Sequence, residues 1–350
     1  MFYQMSSLSI AISFLIYFFS AAFSVLFIKG AEKRKSRVLA AIGVLIPTIV
    51  ATFREAGVDF YAYEGIYNHV HAGGEYPMEL GWITLNRIAP SYKALLFMAA
   101  LIFFGVSYRA IRKFDEKYRW LSWLVVLSVS TGMFYNVTRQ AIASAFVFLG
   151  IAYFSKKKYI RFAVCVALGA LFHKTAIIMI LLLPLYWFVM KRVKKLMLVT
   201  LIMSGVALLC VPIVVAVVSR LGLFPSYVSM MSGFNLSVMF LFYTIPPLFY
   251  YALKPKLFKE DKHFRFCLAL YLFVIPMQFL GMRIPYADRI MLYFRPMLAI
   301  VVPLMVARYD ELGKGKNAKR FYVLWFIFYH IIMGVLLNEN AMYPYMNFNF

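Results

Sequence analysis

The chain has 350 residues, of which 63% are hydrophobic and only 15% charged, and its mean hydropathy of +0.77 leaves too little polar surface for a soluble fold. Its net charge of +23 would suit nucleic acid, but the lysines and arginines sit in short clusters between apolar runs, which excludes that partner. The three cysteines, Cys165, Cys210 and Cys267, all lie inside apolar runs and imply neither a disulfide framework nor a metal site.

Taken in chain order, the apolar runs predict twelve membrane helices, near 8–28, 38–53, 93–110, 120–137, 139–155, 160–173, 175–190, 196–219, 236–253, 265–282, 289–307 and 321–337. The expected architecture is all-α: a polytopic helical bundle forming one transmembrane domain over residues 1–350. The first run, Leu8 to Ile28, is too long for the apolar region of a signal peptide and has no basic segment before it, so it reads as a retained span. Between the second and third runs lies one long loop, 54–92. The closing segment, NENAMYPYMNFNF, reads as a disordered tail.

Alternate connections carry the basic clusters KGAEKRKSR, YRAIRKFDEKYR, KKKYIR, KRVKK, KPKLFKEDKHFR and RYDELGKGKNAKR, which hold all but nine of the 37 lysines and arginines. By the positive-inside rule these clusters face the cytoplasm, so both termini and the 54–92 loop are expected outside it. The basic charge thus reports orientation and contact with anionic membrane lipids. Residues 160–190 must cross twice with 31 residues, about 46 Å of helix at about 1.5 Å per residue, where two crossings need about 60 Å. The apex of that hairpin, at His173 and Lys174, is therefore expected below the outer surface, and the 120–155 hairpin, whose apex carries Arg139, is expected to do the same. Helix ends at that depth must border water or protein. The two apices together predict the floor of an outward-facing cavity.

The nine cations outside the clusters are Arg54, Arg87, Lys93, Arg139, Lys174, Arg220, Arg283, Arg289 and Arg295. Arginine dominates this set, and its planar fork grips phosphate or carboxylate at two points where lysine is a point charge. Arg87, Lys93 and Arg220 are expected to snorkel to the interface. Arg139, Arg289 and Arg295 sit deeper, where an arginine costs about 2.5–3.5 kcal/mol on insertion scales, and are expected to converge on one anionic ligand, with Arg283 at its rim.

In the outer loop, Asp59, Tyr63 and Tyr67 are spaced to share one helix face, Gly73, Gly74 and Pro77 end that helix, and Glu79 precedes a second one containing Trp82. Carboxylates accept from sugar hydroxyls and flat rings cover pyranose faces. The same aromatics also suit an amphipathic helix at the interface. His173 at the sunken apex is a general base or a helix-capping group. His330, on an apolar helix, reads as a hydrogen-bonded core residue, and His69 and His71 are spaced wrongly for one metal. No nucleotide-binding, zinc-hydrolase or serine-hydrolase motif is present.

The stretches FREAGVDFYAYEGIY (Arg54, Gly57, Asp59, Tyr63), YPMELGWITLNRI (Glu79, Gly81), YNVTRQAIASAF (Arg139, Gln140), ALGALFHKTAIIMI (His173) and YADRIMLYFRP (Arg289, Tyr293) follow one another between 53 and 296. In that order the chain resembles the EpsG-like branch of the Wzy-type polysaccharide polymerases. The resemblance implies a membrane glycosyltransferase that extends undecaprenyl-diphosphate-linked repeat units on the outer face of the membrane, with no metal and no other cofactor. It implies a site with His173, Glu79 and Asp59 as catalytic groups, Arg54, Arg139, Arg283, Arg289 and Arg295 on the diphosphate, and Tyr63, Gln140 and Tyr293 on the glycan. A chain-length regulator and a flippase of the same pathway are the partners such an enzyme would work beside. The alternative is a flippase or exporter of lipid-linked glycans, which needs an arginine-lined cavity as well but with cations reaching the cytoplasmic half.

Overall fold

The computed structural model describes residues 7–114, 117–220, 244, 246–281, 287–338, 341–343 and 345. Half of the expected span near 236–253 lies outside these residues, as does Arg283. Helices α1 (Ser7–Arg34) and α2 (Arg37–Phe53) form an antiparallel hairpin, and two short helices, α3 (Phe60–His71) and α4 (Leu80–Ile88), follow in the outer loop. Then come α5 (Tyr92–Phe114), α6 (Arg119–Asn136), α7 (Thr138–Ser155), α8 (Tyr159–Ala170), α9 (Met179–Met190) and α10 (Leu196–Arg220). The remaining long elements are α11 (Lys262–Leu272), α12 (Val274–Gly281), α13 (Leu298–Glu311) and α14 (Gly315–Tyr329). Among the described residues, five stretches are long and apolar enough to cross a membrane: Leu8–Arg34, Tyr92–Phe114, Lys262–Gly281, Arg289–Glu311 and Gly315–Leu336. Shorter apolar helices, among them Arg37–Phe53 and Lys174–Met190, accompany them.

Helix α7 is the axis of the bundle. Nearly all its residues are buried, and it packs on α5, α6, α8 and a 3₁₀ segment over Ala287–Tyr293. Close approach to α8 relies on small residues: a Cβ on Gly169 would lie 3.0 Å from the Ala143 carbonyl oxygen. With lipid on the outside, such contacts take the place that water exclusion has in soluble cores. Helix α8 has only 12 residues, about 18 Å, so the 160–190 hairpin is indeed short. Helices α6 and α7 have 18 residues each, about 27 Å, and are joined at Val137 alone; each is nearly as long as the roughly 30 Å hydrocarbon core is thick, so the second hairpin is longer than the first.

The described residues of the closing segment are ordered against the bundle, where a disordered tail was expected; the rest of that segment lies outside the described residues. Its described residues Met342, Tyr343 and Tyr345 are buried. The amides of Glu55 and Gly57 donate to the carbonyls of Tyr345 and Ala341, both at 2.8 Å, and the Tyr345 amide donates to Ser13 Oγ at 2.9 Å. His330, a core residue as expected, bonds the Tyr343 hydroxyl at 2.9 Å. Tyrosine and methionine side chains bury enough apolar area here to order a segment whose asparagines suggest solvation. Ala341 and Tyr345 act as a strap that fixes the start of the outer loop.

Gly57, in that fixed stretch, has φ +114°, and a Cβ there would lie 2.4 Å from the Tyr135 carbonyl oxygen. Gly57→Ala combines a forbidden backbone angle with a clash against rigid backbone, so a loss of about 2–4 kcal/mol is expected. A lowered melting temperature in detergent would register it; an unchanged one would show that the loop lifts freely off α6.

Candidate functional site

The outer loop joins the two helix apices. Its first part lies across the α6–α7 junction, where the Val58 amide donates to Asn136 Oδ1 at 2.8 Å and Gly57 packs on Tyr135. This leaves Asp59 at the N-terminus of α3, in the field of Arg289 and Arg139. Its second part docks on the α8–α9 apex. There the Gly81 amide donates to the Leu171 carbonyl at 2.7 Å, an approach that only a residue without Cβ permits, because a Cβ would stand 2.7 Å from that oxygen.

This docking delivers Glu79, the residue preceding α4, into a two-sided grip. Its Oε1 accepts from the Lys174 backbone amide at 3.1 Å and its Oε2 pairs with Arg139 Nη1. The pair is mostly withdrawn from solvent, with 22% of the Arg139 side chain and 14% of the Glu79 side chain exposed. Burial by itself would raise the Glu79 carboxyl, but the amides of Lys174 and Glu79, then Arg139 and His173, outweigh it and hold the group below the usual glutamate value. Burial pushes Asp59 the other way, above its ordinary value, with Arg289 and Arg139 opposing. The two carboxylates thus differ in proton affinity within one site.

His173 sits just past α8, with Glu79, Arg139, Arg289 and Lys174 as its charged neighbours. Its Nδ1 shares a 2.7 Å hydrogen bond with Thr175 Oγ1, which shares another of 2.7 Å with the Tyr293 hydroxyl. Tyr293 belongs to the Ala287–Tyr293 segment, whose backbone is bound to α7: Gln140 Nε2 donates to the Arg289 carbonyl at 2.9 Å, and Ser144 Oγ donates to that of Leu292 at 2.6 Å. One turn of α7 therefore presents Arg139 and anchors the segment that carries Arg289. Arg139 also lies beside Tyr63, and its Nε has no hydrogen-bond partner among the described residues.

Eight of the sequence candidates meet here: Asp59, Tyr63, Glu79, Arg139, Gln140, His173, Arg289 and Tyr293. Two do not. Arg54 is wholly buried and stacks on Tyr135 with its guanidinium 4.3 Å from the ring. Its Nη1 and Nε donate to the carbonyls of Ala51 and Ala56 at 2.7 and 3.1 Å. It neutralises the end of its own helix α2 and does not reach the cluster. Arg295 donates from Nη2 to the Tyr329 hydroxyl at 2.9 Å, toward α14; it opens a separate 3₁₀ turn, Arg295–Met297, beyond the segment that carries Arg289. Arg283 lies outside the described residues.

The three residues expected on glycan are buried: Tyr63 at 7%, Gln140 at 2% and Tyr293 at 1% exposure. Tyr63 packs on Trp82 with ring centroids 5.1 Å apart. In this arrangement they brace the charged groups. Sequence reasoning missed the roles of Asn136, Ser144 and Thr175. Their only signal was a hydroxyl or amide near an otherwise apolar run. It also missed the Lys174 amide, which no side-chain pattern announces.

Three cations, Arg139, Lys174 and Arg289, thus stand with two carboxylates and one imidazole at one end of α7. Such a group can hold a polyanion and move a proton beside it. The EpsG family model matches residues 37–349, a range that includes the whole cluster. No curated protein and no solved structure matches the chain.

Proposed function

Because this chain belongs to the EpsG family, which is associated with membrane proteins of exopolysaccharide biosynthesis, we propose that it is a polymerase of undecaprenyl-diphosphate-linked oligosaccharide repeat units. The observation that carries this reading is the meeting of Arg139, Arg289, Glu79, Asp59 and His173 at one end of a bundle rich in membrane-length helices. In this proposal twelve helices span the cytoplasmic membrane, both termini lie outside the cytoplasm, and the cluster floors an outward-facing cavity.

The acceptor is a hydroxyl on one lipid-linked unit. Its oxygen attacks the anomeric carbon of the other, the glycosidic bond forms, and the bond from that carbon to the phosphate oxygen breaks. Undecaprenyl diphosphate leaves with the bonding pair, and the acceptor proton passes to His173, so the anomeric centre inverts. Arg139 and Arg289 take the charge that grows on the leaving diphosphate; preorganised donors in a poorly solvated site are worth more than in water. Glu79 holds Arg139 in place and Asp59 orients sugar hydroxyls. A chain-length regulator and a flippase of the same pathway are the partners proposed.

Glycan from a deletion strain tests the assignment. Single repeats on the surface are expected; complete loss of surface glycan would instead indicate a flippase. Since guanidinium groups supply the positive charge, polymerisation by the purified protein is also expected to survive EDTA. Loss on chelation with rescue by a divalent ion would overturn this part of the mechanism.

A further inference from the structure

At the end of α7 remote from Arg139, a cavity of about 860 Å³ opens between the C-terminal turn of α7, the start of α8, the end of α9 and the start of α11. Its size falls within the roughly 300–1,000 Å³ of small-molecule sites. Its mouth and its interior differ in chemistry. Three lysines line it from three separate connections: Lys157 after α7, Lys191 after α9 and Lys262 at the start of α11, with His263 beside them. All three lysines are exposed, and no carboxylate is among the lining residues. The interior is aromatic, with Trp187 edge-on to Phe266 at 4.9 Å and Phe162 opposite. Lys191 Nζ lies 4.5 Å from the Phe188 ring centroid.

Phe188 also ends an exposed apolar stripe on α9: Leu181 is 69%, Leu185 63% and Phe188 52% exposed, at i, i+4 and i+7. In a membrane-spanning bundle that stripe faces acyl chains, so the cavity joins a cationic rim to a lipid-covered surface. We propose that it binds one anionic phospholipid of the cytoplasmic leaflet, with the phosphodiester among Lys157, Lys191 and Lys262 and an acyl chain on Trp187 and the α9 stripe. A soluble anion would use the rim and leave the aromatic interior unfilled; a zwitterionic lipid would fill the interior with a choline among lysines. Charge complementarity and shape together select the anionic lipid. The site is separate from the chemistry proposed above and stands without it. It shares only the orientation, with the basic clusters inward.

Full-length protein in phosphatidylcholine nanodiscs provides the test, with brominated phosphatidylglycerol or brominated phosphatidylcholine added. Trp187 is the reporter, and Trp187→Phe identifies its share of the fluorescence. Brominated phosphatidylglycerol is expected to quench Trp187 at a mole fraction at least tenfold lower than brominated phosphatidylcholine. The combined Lys157→Ala, Lys191→Ala and Lys262→Ala variant should lose that preference. Lys191→Gln alone, which spares the fold if the triple change does not, should reduce it about threefold. Equal quenching by the two lipids, or a preference that survives these changes, overturns the proposal. So does protection of Trp187 by millimolar inorganic phosphate, which would mark a site for soluble anions.

Discussion

Arg139→Lys is expected to damage polymerisation nearly as much as Arg139→Ala, with a loss on the order of 10²–10³ in rate, the usual cost of one transition-state charge donor. A carboxylate from another element, Glu79, holds the Arg139 side chain, while α7 fixes its backbone. Its fork is thereby aimed before substrate arrives. A lysine keeps the charge and loses both the fork and the two-point geometry. Arg139→Ala has a second consequence, because it strands the Glu79 carboxylate. Breaking such a pair approaches the roughly 3–5 kcal/mol typical of a fully buried one. A double variant separates the two effects: Arg139→Ala with Glu79→Gln should regain melting temperature without regaining activity. Glycan length measured in cells carrying each variant provides the readout. Full-length glycan with Lys at this position would reduce Arg139 to a counter-charge and move the diphosphate grip to Arg289.

His173→Ala is expected to leave weak residual polymerisation, lower by about 10²–10⁴, which is what general-base help contributes. His173→Gln should behave like the alanine variant, since it retains hydrogen bonding without basicity. The 2.7 Å bonds from Nδ1 to Thr175 and from Thr175 to Tyr293 occupy one ring nitrogen, which leaves Nε2 as the atom to take the acceptor proton. Thr175→Val should therefore lower the rate by roughly tenfold through loss of that ring orientation, a smaller effect than losing the base itself. Single-turnover assays on purified protein would compare the three. Full activity in the Gln variant would reject His173 as base and pass the role to Asp59 or Glu79. Of these, Asp59 is the better proton acceptor, because burial raises its carboxyl while amides and Arg139 keep Glu79 low.

These two results rest on an arrangement that divides cleanly between sequence and tertiary structure. Hydrophobic run length and charge clustering depend on the solvent around each segment and hardly on its neighbours. The all-α class and the positions of most helices were therefore legible residue by residue. The same holds for the boundaries in the outer loop. Helix α3 does end before Gly73, and Glu79 does stand at the start of α4, because glycine and proline act locally. The rarity of arginine in apolar runs pointed to Arg139 and Arg289 for the same reason: its cost is a property of depth alone.

Which of the costly residues share a site was a tertiary decision. Arg54 and Arg139 look equivalent in sequence, yet one caps α2 against Tyr135 and the other meets Glu79, 60 positions away. Arg289 and Arg295 are six apart, but they stand in two separate 3₁₀ segments, Ala287–Tyr293 and Arg295–Met297, and the second bonds Tyr329. The strap contacts of Ala341 and Tyr345 were unreadable because their partners, Ser13, Glu55 and Gly57, are backbone groups and a hydroxyl with no pattern of their own. A charge buried in lipid must find a partner, so sequence can say that a partner exists. Only the packing of the outer loop against the ends of α6 and α8 determines which one it is, because many geometries satisfy the need and one set of close backbone contacts, at Gly57 and Gly81, selects among them.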